Sequence, residues 1–180
     1  MLLGLERGFV RLVSHQTGWE KNAKDTIMLL KHILGSTAVE IQHVGSTALC
    51  GICAKPIIDI VIGVGSLNDI KPYIDSLKQH SIIFHGEDIV GQLLFVMGDL
   101  EKNTRTHHIH VVEWNSLAWN NYINFRDYLN AFPEKAKLYE RCKQKLAFSF
   151  PCDRVRYTEG KQELIDLLLK EAQLWREKSR

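Results

Sequence analysis

The sequence has no apolar run of the ~18 residues that a membrane span needs. Its start, MLLGLERGFVRLV, breaks its apolar stretch with Glu6 and Arg7, which makes a poor signal peptide. Charge of one sign is also missing. The 23 Lys and Arg stand against 21 Asp and Glu, for a net charge of +2. A dedicated nucleic-acid binder usually shows a clustered basic face, so nucleic acid is not an expected partner. Only the tail WREKSR concentrates charge, as a fraying helix end would. No repeat, low-complexity tract or linker interrupts the 180 residues, which suffice for one domain with a real core. Cysteine is limited to four, and without a secretory signal these read as reduced thiols of a cytoplasmic protein. The C-x-x-C of Cys50 to Cys53 has no second pair, because Cys142 and Cys152 lie far apart in the chain. It therefore reads as incidental rather than as a zinc or redox site.

What is present alternates β and α, then turns helical. FVRLV reads as a short strand. TGWE reads as a capping box, with Thr17 as N-cap and Glu20 three residues on. Ala23, Ile27, Leu30 and Leu34 follow at helical spacing, and Gly35 ends that helix. VEIQHV alternates as a strand should. PIIDIVIGV is almost entirely β-branched and reads as a strand covered on both sides. Ser66 or Asn68 caps a helix through Leu77. SIIFHG, QLLFVMG and THHIHVVEW read as three more strands. Helices are then expected over roughly 116–131, 133–147 and 159–176. In the last of them Leu164, Leu168, Ala172 and Trp175 form one stripe. The expectation is a single α/β (α+β) domain over residues 1–180, with a mixed sheet in about 37–114 and a helical tail in about 116–176.

Two features carry chemistry. Asp59 is the sole charge in its apolar strand, and a charge there is costly to bury unless it is paired. Ile58, Ile60 and Ile62 share one strand face, while Ile57, Asp59 and Val61 share the other. In RTHHIH, His108 and His110 share a face and His107 takes the opposite one, so the first two could hold one metal ion or, when charged, an anion. Before Asp59 comes a Gly45-Ser46-Thr47 turn. Lys55 precedes Pro56 at the mouth of the strand.

HVGSTALCGICAKPIIDI resembles the hallmark of the GrpB family, a bacterial group within the nucleotidyltransferase-like superfamily. The resemblance continues in order through RTHHIHVV, FRDYLNAFP, YERCKQKLA, YTEGK and the Ala172–Trp175 ending. Two positions depart from the family pattern. Gln42 stands where Glu is usual, and Cys50 stands where Pro is usual.

The resemblance implies a nucleotidyltransferase-type core. Gly45, Ser46 and Thr47 would then hold phosphates, since glycine admits backbone N–H groups and the hydroxyls add donors. Lys55, Arg105 and Arg126 would add positive charge, and His43 would line the pocket. Asp59 would be the catalytic carboxylate and a metal ligand. Active superfamily members pair that carboxylate with a second one two residues on, where this chain has Val61. His108 and His110 would fill the gap as metal ligands, with Mg²⁺ or Mn²⁺ as the expected ion and Zn²⁺ as the alternative that imidazole favours. The expected activity is transfer of a nucleotidyl group from a nucleoside triphosphate to an unidentified acceptor seated by the helical tail. The alternatives are a nucleotide- or phosphometabolite-binding protein without turnover, or a histidine- and metal-dependent hydrolase. The expected partner is a nucleotide or phosphorylated small molecule, with no membrane.

Overall fold

The computed structural model describes residues 1–99 and 101–178, with only the backbone of Asp88. The end of the WREKSR tail lies outside these residues. Five strands form one mixed sheet: β2 (Ala38–Val44), β3 (Ile58–Val64), β4 (Ile83–Ile89), β5 (Gln92–Met97) and β7 (His107–Glu113). Their order is β2-β3-β7-β5-β4. The β3–β7 pairing is parallel and the other three pairings are antiparallel. A separate two-stranded ribbon joins β1 (Leu5–Glu6) to β6 (Thr104–Arg105).

The two faces of β3 go to different cores, as the alternation requires. Ile58, Ile60 and Ile62 pack with Leu30 and Leu34 of α1 (Gly18–Leu34). Val61 packs on the other side with Val44, Val112 and Trp119, the last from α3 (Leu117–Ala131). A third cluster joins α3 to α4 (Pro133–Ser149) and α6 (Gln162–Lys178). It buries Tyr128, Leu129, Tyr139, Leu168 and Ala172, with Leu164 and Trp175 packed against it. The sheet thus has α1 on one face and the helical layer on the other.

Two local expectations are corrected, and one short helix is added. Thr17 occupies the cap position of α1, but its backbone is already helical (φ −58°, ψ −25°) and its hydroxyl makes no cap bond. With ψ turned that way the side chain does not reach the first free N–H groups; Gln16 supplies its backbone carbonyl to Trp19 N instead. The FVRLV segment is no strand. It makes one bridge, Val13 to Ala54, and Val10 N donates to Pro151 O, so its backbone partners lie in loops. The helix expected over 159–176 is α6, and a short helix that was not expected, α5 (Arg154–Glu159), precedes it across Gly160 and Lys161. Gly160 sits so close to Leu146 that a Cβ there would lie 2.5 Å from Leu146 Cδ2. The predicted cap at Ser66 is present as a full capping box with Asp69, opening a 3₁₀ segment, Leu67–Tyr73, that runs into α2 (Ile74–Gln79).

Candidate functional site

Asp59 and His108 are register partners on the parallel strands β3 and β7, and His110 pairs with Val61 two residues on. A shared face over adjacent strands brings the three side chains together. His108 Nδ1 lies 3.3 Å from Asp59 Oδ1. His110 Nε2 stands 3.8 Å from the same oxygen, too far for a direct hydrogen bond. Burial alone would raise the Asp59 pKa. The two histidines outweigh it and hold the carboxyl well below the usual carboxylate range. An ionised carboxylate only accepts, so His108 Nδ1 is the donor and its Nε2 carries the lone pair. Burial lowers the pKa of His108 despite Asp59, which favours that neutral imidazole. His110 stacks on Tyr122 with ring centroids 5.1 Å apart, and its buried Nδ1 has no hydrogen-bond partner among the described residues.

The Gly-Ser-Thr turn closes over the same carboxylate. Val44 pairs with Asp59, and Gly45 follows at φ +69°, ψ −168°. A Cβ on Gly45 would meet the Asp59 side chain, with Cβ at 2.8 Å and Cγ at 2.9 Å. Ser46 Oγ reaches the Tyr139 hydroxyl at 3.5 Å, at the edge of hydrogen bonding. Thr47 is buried and its hydroxyl contacts His43 Nε2 at 2.9 Å, which secures the turn.

Lys55 and Lys161 come from distant parts of the chain. Their ammonium groups stand 5.3 Å and 4.7 Å from the centroid of the same buried Tyr157 ring. Burial, with Lys161 and Arg154 adding to it and Asp59 opposing, pushes Lys55 down to about 8. Burial likewise lowers Lys161, again against Asp59. Lys143 is fully buried, donates to Cys53 O, and is pushed down to about 7, chiefly by burial. Arg105 is buried beside Arg7 and Arg154, with one hydrogen bond to Thr104 O. Nothing in the periodicity marked Lys161 or Arg154 as site residues. A lysine directly after a helix-breaking glycine was the available signal.

Arg126 is engaged within the protein. Its guanidinium donates to Gln42 Oε1 at 2.8 Å, His43 O at 3.0 Å and Asp127 Oδ1 at 2.8 Å. It clamps α3 to β2, behind the site. Gln42, at the position where the family pattern has Glu, accepts one of these bonds as a neutral partner. The four cysteines are free thiols.

The donor set does not fit the superfamily's pair of metal ions. Val61 is fully buried in an apolar cluster, so the second carboxylate position faces no cleft. Among the described residues no group of three His, Cys, Asp or Glu side chains is disposed to hold a metal ion. Both imidazoles instead lean on the one Asp59 oxygen.

Two more histidines set an acid limit on the fold. Burial pushes His43 and His107 down to about 4. His107 is held from the α1 side by Thr26 and by Asn22. Their folded pKa values lie below the unfolded value of 6.5, so the unfolded chain binds protons first. Stability should therefore fall between pH 6.5 and pH 4, by up to about 1.4 kcal/mol per pH unit for each group. Urea titrations at stepped pH check this, and a flat profile across that window would contradict it.

Among solved structures, a GrpB protein from Enterococcus faecalis superimposes with a TM-score of 0.84 at 27% identity, covering 92% of this chain and 99% of that one. The Cid1 poly(U) polymerase superimposes with a TM-score of 0.53 at 12% identity over 74% of this chain and 44% of its own, a likeness of fold alone. In sequence, the glutamate-rich protein GrpB of Alkalihalophilus pseudofirmus is 41% identical over 94% of this chain and 99% of its own length. YqkA of Bacillus subtilis is 33% identical over 93% of this chain, which spans 48% of that protein. The profile described as GrpB protein matches residues 9–171, a span that holds both the Gly45 turn and the Asp59–His108 pair, and the chain belongs to the GrpB family.

Proposed function

We propose that this protein binds a nucleoside triphosphate at the Gly45-Ser46 turn and transfers its nucleotidyl group to a hydroxyl-bearing acceptor. The observation that carries this reading is the Asp59–His108 pair placed directly under that turn, on a nucleotidyltransferase-like fold. Asp59 is too weak a base to take a proton itself, because the histidines hold its pKa so low. It fixes His108 with Nδ1–H toward the carboxylate, which leaves Nε2 as the general base. The acceptor hydroxyl gives its proton to His108 Nε2 and its oxygen bonds to the α-phosphorus. The bond from that phosphorus to the β-bridging oxygen breaks, and pyrophosphate leaves. Backbone N–H groups at Gly45 and Ser46, the Ser46 hydroxyl and the ammonium of Lys55 oppose the charge that builds on the phosphates.

Val61 favours a second reading, a nucleotide-binding protein without turnover. One experiment separates the two. The purified protein is heated with ATP, GTP, CTP or UTP, with and without Mg²⁺ or Mn²⁺, and pyrophosphate release is followed with candidate acceptors. Ligand at about 100 times its Kd should add about 2.7 kcal/mol of stability. Stabilisation with pyrophosphate release supports transfer. Stabilisation alone supports the binding reading, and no stabilisation by any nucleotide sinks both.

A further inference from the structure

We infer that fixed side-chain cations, Lys55 and Lys161 over the Tyr157 ring with Arg154 beside them, neutralise the triphosphate in place of a second divalent ion, so that the nucleotide binds without divalent metal. The inference rests on the nucleotide reading above and concerns how that site handles charge. Its first ground is the missing carboxylate. A second ion needs a second anionic ligand, and Val61 is sealed among Val44, Val112 and Trp119.

Its second ground is an excess of unpaired cations at the same place. Among the described residues, Lys55, Lys161 and Arg154 take part in no ion pair. The two lysines crowd one aromatic ring at 5.3 Å and 4.7 Å. Burial, more than any neighbouring cation, loosens the hold of both lysines on their protons, with Lys161 adding to it at Lys55 and Arg154 at both, and Asp59 is the carboxylate that opposes this at both. Asp59 already serves the two histidines. Three cations against that one carboxylate leave a surplus of about two positive charges among half-buried side chains, an arrangement that is costly without an incoming anion. A triphosphate is the anion whose charge matches, and lysines act on phosphate as point charges in the manner of an ion. Arg105 adds further positive charge, since Arg7 and Arg154 both act on it.

The test is calorimetric titration of ATP, GTP, CTP and UTP into the full-length protein, once in EDTA and once in Mg²⁺. Binding in EDTA within about tenfold of binding in Mg²⁺ is the expected result. Lys161→Gln and Lys55→Gln should each weaken the EDTA affinity by about tenfold or more, with Lys161→Arg restoring it. Lys170→Gln, exposed on α6, should change nothing. Binding that appears only with Mg²⁺ or Mn²⁺ overturns this inference and leaves the proposed function standing. Binding under neither condition overturns both. Lys161→Gln that folds and binds as the unaltered protein does in EDTA also overturns it; should the lysine variants not fold, the EDTA comparison on the unaltered protein decides.

Discussion

Gly45→Ala should cost about 3 kcal/mol of stability and remove nucleotide binding altogether. Two penalties add at this residue. The backbone at φ +69°, ψ −168° lies where an L side chain is strained, at about 1–3 kcal/mol. The new methyl would also press into the Asp59 carboxyl group, whose Cγ would lie 2.9 Å away. Relief requires either the turn to lift from β3 or Asp59 to leave His108, and either movement breaks the site. In a chain of 180 residues the expected fall in melting temperature is about 10 °C. The steric part can be isolated. In an Asp59→Gly background the same Gly45→Ala change should cost only the backbone strain, so the two substitutions should couple by about 1 kcal/mol or more. Strict additivity would show that the turn and the carboxylate do not press on each other.

Asp59→Asn should act on chemistry more than on folding. The amide keeps the shape of the carboxyl but no longer fixes the His108 tautomer, because it can donate as well as accept. Nucleotidyl transfer should fall by about 10³–10⁴, the scale seen when an aspartate that orients a catalytic histidine is made an amide. Nucleotide affinity should hold or improve, since one negative charge leaves a phosphate site. A pH–rate profile distinguishes this from a structural role. In the unaltered protein the acid limb should lie below the ordinary histidine value, because burial lowers His108, and should reflect loss of the neutral imidazole on protonation. Above about pH 8 nucleotide affinity should decline as Lys55 loses its proton, with Lys161, Arg154 and Asp59 as the charges around it. If Asp59→Asn turns over like the unaltered protein yet melts much lower, Asp59 is a structural partner of the histidines.

The sheet was legible because its signals are local. A run of β-branched residues with one carboxylate marks β3, and the alternation in THHIHVV assigns His108 and His110 to one face. The juxtaposition of Gly45 and Asp59 was legible for the same reason, since a strand, a short turn and a neighbouring strand leave few ways to fold. Arg154 was not legible, and Lys161 was visible only as the last residue of the YTEGK motif. Lysine and arginine are ordinary surface residues, and what singles these out is tertiary: Lys161 shares the Tyr157 ring with Lys55, and Arg154 adds its charge to both. The same limit explains Arg126. Its place in a motif does not reveal that Gln42, the His43 carbonyl and Asp127 engage its guanidinium. Thr17 shows the converse, a local capping signal overridden by the backbone angles of its own turn.

The guanidinium of Arg126 belongs to a longer relay. Arg176 binds Asp127 and Asn124, Asp127 binds Arg126, and Arg126 holds the carbonyl of His43, two residues before Gly45. The last turn of α6 is therefore wired to the rim of the site through three side chains, Arg176, Asp127 and Arg126. For protein engineering this sets a boundary: an affinity tag or reporter joined at the C-terminal side needs a spacer that leaves Arg176 in place, and trimming the chain back past Trp175 would loosen the turn through α3.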